Sequence, residues 1–384
     1  MTSGQVLNQQ KTALFFSRNT SLEVKEEIRY LLGAQVMHDC EKYLGLPIVG
    51  GKSKVGKEIQ ERIANRVMGW KEKHISKAGR EVLIKIVAQA IPTYSMSLFK
   101  IPKTVCDGIN SVLAKYWYWQ TRNEKKIHWI SWDKLCSPKN KGGLGFWDIY
   151  AFNLAMLAKQ AWWLIHGTYS LFYCVYKTRY FPTCSFMDAK LGSNPSFVWR
   201  SLLQARELIT EGTTWKIGDG ETVGIDSHKW LPNPPRFKLG ADRTLKVSAL
   251  FNPETRQWDR SLIQALFHNS SRYDILHIHL SHFRSMDKLM WMATKSRTFL
   301  VKMAYQVAFR LHLLVAGEHS LASQDKRLWN KVWALNTPLK VRNFIWRACS
   351  DVLPTRANLL WRKVHIDPLC TLCGQHDETT SHIL

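Results

Sequence analysis

The stretch Gly69–Pro102, GWKEKHISKAGREVLIKIVAQAIPTYSMSLFKIP, combines an apolar helical stripe, a dense set of cations and two proline stops, and the rest of the chain is organised around it. Wound at about 100° per residue, Ser76–Ala90 places Val82, Leu83, Ile86, Val87 and Ala90 on one side, predicting a face turned to a core. Lys77, Arg80 and Lys85 fall largely on the other side, which reads either as a solvated face or as one that meets phosphate. Ser76 is the expected N-cap, because its hydroxyl can accept from an otherwise orphaned amide. Pro92 lacks an amide proton and clashes with the preceding turn, so the helix is expected to stop near Ile91.

Toward the N-terminus, Ile59, Ile63 and Val67 recur every four residues and predict a helix over Lys57–Met68. Between Lys52 and Lys85 ten cations face four acids, a local net charge of +6. Leu22–Leu32 reads as a short helix closed by Gly33, and Tyr43–Ile48 as a strand or turn punctuated by Gly45 and Pro47. Toward the C-terminus, Val105, Ile109, Val112, Leu113 and Tyr116 mark another amphipathic helix. It ends in Tyr116-Trp117-Tyr118-Trp119, a run that suits core packing better than base stacking.

Gly142-Gly143-Leu144-Gly145 lies beside Lys139 and Lys141, but no Gly-Lys-Ser/Thr follows to hold phosphate and metal, so a tight entry into a helix capped near Asp148 is expected. Phe152, Ala155, Met156 and Trp163 continue that helix's apolar side. The uncharged run Gln160–Tyr176 contains His166, Gly167 and several hydroxyls and reads as a buried amphipathic element, not a membrane span. Trp215–Gly220 followed by Thr222–Ile225 predicts a hairpin with Asp219 in its turn, and Trp230–Arg236, with Pro234-Pro235, predicts a linker. Trp258–Phe267 and Phe299–Leu314 look helical, and His277, His279 and His282 read as incidental surface histidines. The segment from Trp329 to Trp361 contains Trp333, Phe344, Trp346 and Trp361 interleaved with Lys331, Lys340, Arg342, Arg347, Arg356 and the adjoining Arg362, a second basic, aromatic helical region.

The 384 residues carry 54 Lys plus Arg against 30 Asp plus Glu, a formal charge of +24 that points to a polyanionic partner, nucleic acid before membrane. Six of the eight cysteines are scattered and no secretory signal precedes them, so reduced thiols in an intracellular protein are expected, with nucleus and mitochondrion both open. The other two, Cys370 and Cys373, have the two-residue spacing that grips one zinc ion, with His382 as a third ligand and His376 nearby. Catalytic signatures are missing: there is no Asp-Asp pair to hold magnesium, no Gly-x-Ser-x-Gly, no His-Glu-x-x-His and no dinucleotide-binding glycine fingerprint.

Taken in order, Tyr43-Leu44-Gly45-Leu46-Pro47, Gly69-Trp70-Lys71, Ser76–Lys85, Gln89–Tyr94, Gly142–Gly145, Phe152–Ala155, Leu191–Ser196 and Gly218-Asp219-Gly220 resemble plant non-LTR (LINE-type) retrotransposon reverse transcriptases. The resemblance covers almost the whole chain and implies the region that follows the polymerase palm, ending in a reverse transcriptase zinc-binding domain from about Trp329, with Cys370, Cys373, Glu378 and His382 on the family pattern. It implies palm aspartates upstream of Met1, a final zinc cysteine beyond His382, and a Trp where this chain has Asp226. No catalytic residue is therefore expected, nor magnesium without the palm.

The expected fold is mainly α with small β-hairpin elements. Its expected parts are a thumb-like basic region (1–120), a connection region (121–235), a helical linker region (236–328) and a truncated zinc-binding-like domain (329–384). The expected function is non-catalytic binding of RNA or an RNA–DNA duplex through Lys71, Lys73, Lys77, Arg80, Lys85, Lys139 and Lys141, with zinc on Cys370, Cys373 and His382. The alternatives are an accessory part complementing a separate palm, or an inactive retroelement remnant.

Overall fold

The computed structural model describes residues 52–71, 75–118, 127–252, 257–280, 285–294, 296–315 and 326–384, with residue 255 and the N-terminal pieces 13–14, 16, 19–33, 35–36, 42–43 and 46–47. Among these the chain is mainly α-helical with small β elements. Strand β1 (Ala13–Leu14) pairs in parallel with β2 (Gln35–Val36), and α1 (Leu22–Leu32) lies between them in the chain. Gly33 ends α1 at φ 58°, a left-handed conformation that glycine adopts without strain. An antiparallel pair follows, β3 (Lys42–Tyr43) with β4 (Leu46–Pro47).

Helix α2 (Lys52–Lys71) buries Val55, Ile59, Ile63 and Val67, the four-residue spacing seen in the sequence. Next come α3 (Lys77–Leu83), a π-turn over Ile84–Ala88, α4 (Thr93–Leu98) and α5 (Lys103–Trp117). Val105, Ile109, Leu113 and Tyr116 on α5 are buried where it packs on α2, and Trp117 and Tyr118 are buried as well, which puts the described part of the aromatic run in the core.

The Ser76 hydroxyl accepts from the Gly79 amide at 3.2 Å, capping α3 as expected. The expected core face of this segment is corrected, however. Val82 and Ile86 are 42% and 68% exposed, and Ala90 is exposed too, while Glu81, Ile84, Ala88 and Gln89 are buried. Two physical causes act together. The π-turn carries an extra residue per turn, which rotates everything after Leu83 relative to an α-helical wheel. The buried side also holds a polar network that a hydrophobic wheel does not count. Lys85 Nζ donates to Glu81 Oε1 at 2.6 Å and to the Leu144 carbonyl at 2.7 Å, and Gln89 Nε2 donates to the Trp147 carbonyl at 2.9 Å.

Helix α6 (Trp132–Cys136) leads through a 3₁₀ turn (Lys139–Lys141) and the glycine loop into α7 (Ile149–His166). Gly142 and Gly145 have φ 83° and 70°, and a Cβ on Gly143 would run into the Ser137 carbonyl oxygen, so this turn admits only glycine at its tightest point. Asp148, fully buried, caps α7 by accepting from the Ala151 amide at 2.7 Å, and it also accepts from Asn110 Nδ2 at 2.7 Å. Phe152 and Ala155 enter the core as the pattern predicts, whereas Trp163 is 50% exposed. α7 is the axis of the main core, packed by α4, α5, α8 (Leu171–Tyr180), α9 (Phe197–Leu203), α10 (Arg206–Gly212) and the later α13 (Val301–Val315). No helix among the described residues is long and apolar enough to cross a membrane.

The predicted local hairpin is also corrected. β5 (Thr213–Lys216) pairs with the distant β6 (Lys288–Trp291), Thr213 opposite Trp291, and not with Thr222–Ile225. The intervening turn forms around Asp287, whose carboxylate accepts from the amides of Gly218, Gly220 and Thr222 at 2.7, 2.9 and 3.0 Å. A long-range acceptor thus takes the donors that a local strand would have used. Between the two strands, Ile217, Val223, Ile225, Trp230 and Leu231 form a second core with residues of the 3₁₀ turn Val247–Leu250, α11 (Arg260–Leu266) and α12 (Asn269–Leu276). Past α13 lie α14 (Lys326–Ala334), α15 (Leu339–Cys349), α16 (Arg356–Trp361) and α17 (Thr380–Ile383).

Asn153 on α7 locks the segment between α4 and α5. Its Oδ1 accepts from the Ile101 amide at 2.8 Å, and its Nδ2 donates to the carbonyls of Met96 and Phe99 at 2.9 and 2.8 Å. Asn153→Leu keeps the volume but leaves these backbone groups unpaired in a dry core, so a loss of about 3 kcal/mol or more is expected in urea unfolding. An unchanged midpoint would refute this account.

Candidate metal centre and nucleic-acid interface

The C-terminal residues form a tight hairpin that presents the metal-type donors. Cys370 N–H donates to the His376 carbonyl at 2.8 Å, Gly374 N–H to the Cys370 carbonyl at 2.8 Å, and Leu369 pairs with Asp377 across the hairpin. Gly374, at φ 64°, makes the reversal. α17, capped by Thr379, returns His382 to the turn. The Sγ atoms of Cys370 and Cys373 and a ring nitrogen of His382 lie within 4.8 Å of one another, and Cys373 Sγ is 3.3 Å from His382 Nε2. Tetrahedral zinc holds such donors roughly 3.5–3.9 Å apart.

The electrostatics fit a thiolate ligand. The amides of Gln375 and His376, pointing at Cys373, together with His382 and Cys370, hold its thiol down at about 7. The three donors therefore suit zinc, which His382 and both thiolates would hold and which would clamp the hairpin to α17. His376 lies outside this cluster, its ring centroid 5.9 Å from that of His382.

The hairpin is braced from behind by Glu378, which the family pattern marked without giving it a role, and by Arg356 and Asp351, to which the sequence assigned no part in the hairpin. Glu378 accepts from the Arg356 amide at 3.2 Å, and its carbonyl accepts from the Ala357 amide. Arg356 Nη1 donates to the carbonyls of Asp367 and Leu369 at 3.3 and 3.2 Å. Asp351, at the end of α15, accepts from Thr380 Oγ1 at 2.6 Å. These contacts span up to 29 positions in the chain, and no spacing rule reveals them.

The cations singled out in the sequence divide into several groups. Lys73 and the Lys71 side chain lie outside the described residues. Lys85 is spent internally on Glu81 and Leu144. Lys139, 40% exposed, is 3.3 Å from Glu81 and sits 4.1 Å over the Trp333 ring. Arg80 uses Nε and Nη1 on the carbonyls of Ile75 and Trp117 at 3.1 and 3.4 Å. Lys77 is half-buried at the seam with α15, and Lys141 is exposed. Burial first, then the charges of Arg347 and Arg80, push the Lys77 ammonium down to about 8.

A second set of cations is more open. Helices α13 to α16 contain nine Lys and Arg residues and no Asp or Glu, and Lys302, Arg310, Lys326, Lys331 and Lys340 on them are exposed. The sequence reading included Lys331 and Lys340 but passed over Lys302 and Arg310; helix-by-helix charge counting would have found them.

Because the folded-state value of Lys77 lies below its unfolded one, the unfolded chain binds more protons between pH 8 and about 10.4, and stability rises with pH across that window. Lys77→Met is therefore expected to raise the unfolding midpoint at pH 7, with the gain fading as pH climbs from about 8 to about 10.4. A pH-independent difference in midpoint would exclude a destabilising charge at this position.

Three comparisons bear on this geometry. Residues 299–384 match the family described as zinc-binding in reverse transcriptase. Over 338 residues, 85% of its length, the chain is 27% identical to an Arabidopsis thaliana protein named "Putative ribonuclease H protein", of which it covers 53%. Over 151 residues, 38% of its length, it is 39% identical to an "Uncharacterized mitochondrial protein" of the same plant, of which it covers 98%. The chain thus spans about half the length of the longer relative. With the metal-type hairpin in the matched segment, these relationships show that the chain belongs to the plant retrotransposon reverse transcriptase family that carries this zinc-binding domain.

Proposed function

We propose that this region is a non-catalytic nucleic-acid-binding part of a LINE-type reverse transcriptase, holding the backbone of RNA or an RNA–DNA duplex while a polymerase palm supplies the chemistry. The observation that carries this reading is the acid-free run of helices α13 to α16, whose exposed cations have no carboxylate on their own helices to neutralise them. Such a surface attracts phosphate at long range and binds it with little sequence preference. Zinc on Cys370, Cys373 and His382 would fix the hairpin against α16 and α17, and so hold the end of that surface in place.

Fluorescence anisotropy with a labelled RNA–DNA duplex tests the electrostatic core of the proposal. Affinity should fall steeply and linearly with log salt, and replacing Arg310, Lys331 and Lys340 together with Gln should reduce the slope by up to about 3. Affinity that does not change with salt would sink the reading. Primer extension by the chain alone should give no product.

The metal is tested separately. Zinc-loaded wild type should contain about one zinc per chain, and Cys373→Ser and His382→Ala should lose it under dialysis while the remaining helices keep their circular dichroism. Full retention by both variants would place any bound zinc elsewhere.

A further inference from the structure

A cavity of about 660 Å³ opens between the loop Pro138–Phe146, the π-turn, α13 and α14, within the size range of small-ligand sites. Its floor carries Gln89, fully buried, whose Oε1 has no hydrogen-bond partner although its Nε2 is held by Trp147. A buried carbonyl acceptor left unmet is uncommon and calls for a donor. Trp147 and Trp333 line the walls, and Gln306 and Asn330 line them with side chains that make no hydrogen bond among the described residues. Lys302 on α13, which is exposed, and Lys139 also line it.

A ligand complementary to this lining has an N–H edge for Gln89, a flat aromatic body for the tryptophans, further polar atoms for the amides and negative charge for Lys302. We propose that the cavity receives one unstacked nucleotide, its base edge donating to Gln89 Oε1 and its phosphate lying against Lys302. This rests on the nucleic-acid reading above and sharpens it: the surface of α13 to α16 tracks the backbone, and the cavity beside it takes a single base from an unpaired strand.

The test compares a labelled 12-nucleotide oligodeoxyadenylate with a labelled 12-base-pair duplex by anisotropy, using the full chain. Ala334→Trp, at an exposed position lining the cavity, plugs it; Asn330→Trp, one turn earlier, is a second plug should the first fail to fold. Single-strand binding should weaken about tenfold in a folded plug variant, the scale of one lost stacking contact, while duplex binding stays within about twofold. Displacement of the labelled strand by millimolar adenosine monophosphate would show that the site takes the free nucleotide as well; loss in the plug without such displacement would show that it takes the nucleotide only within a strand. Single-strand affinity unchanged in both folded plugs, or equal losses for strand and duplex, would overturn the cavity assignment and leave backbone binding standing. If wild type binds neither probe at low salt, the nucleic-acid reading falls, and this proposal with it.

Discussion

The buried carboxylate of Glu81 is the contact on which the arrangement of the basic segments depends. It sits on the anchor helix, pairs with Lys85 at 2.6 Å and Lys139 at 3.3 Å, and accepts from Asn343 Nδ2 on α15 at 3.3 Å. Three distant parts of the chain therefore converge on one acid: the anchor helix, the glycine loop and the first long helix after α14. Burial works to raise the carboxyl, but the Lys85 charge and hydrogen bond, the Lys139 charge and the Asn343 amide outweigh it and hold the group below its ordinary range. Its stabilising contribution is therefore present above the usual glutamate range and is lost as pH falls through the lowered value. Removing the acid would leave the largely buried Lys85 ammonium with only the Leu144 carbonyl as partner, a larger penalty than the net worth of the pair, whereas the more exposed Lys139 could turn to water.

Most of the fold was legible because it obeys local rules. The four-residue repeat on α2, the Ser76 and Asp148 caps, the Gly33 stop and the burial of Tyr116 and Trp117 all follow from periodicity, capping chemistry and side-chain size. The errors share one cause. A helical wheel sorts residues by hydropathy and assumes 3.6 residues per turn, and the anchor violates both assumptions by burying Glu81 and Gln89 and passing through a π-turn. The hairpin expectation failed for a related reason, since Asp287 supplies from 65 or more positions away the acceptor that a nearby strand was expected to provide.

The candidate metal centre was legible to its donors but not to its support. Cys370, Cys373 and His382 are identified by residue type and spacing and Glu378 is marked only by the family pattern, whereas Arg356 and Asp351 act through partners fixed only by folding. The charged surface shows the reverse. Net charge announced a polyanion, yet Lys85 turned out to be consumed internally, and the more open cations lie on later helices. Counting charge locates a class of partner; only the pairing pattern locates where that partner can touch.

The π-turn also sets how the chain can vary in length. Ile84–Ala88 holds one residue more than an α-turn requires, so a single deletion there can be absorbed by a return to α geometry without breaking the helix. The phase downstream is then kept, because the lost residue and the lost wide turn cancel; a deletion outside the π-turn has no such slack and would swing every later side chain by about 100° relative to Glu81, carrying Gln89 away from Trp147. The surplus residue thus behaves as slack in the segment, lying between Glu81 and Gln89, the two buried polar side chains that tie it to the rest of the core.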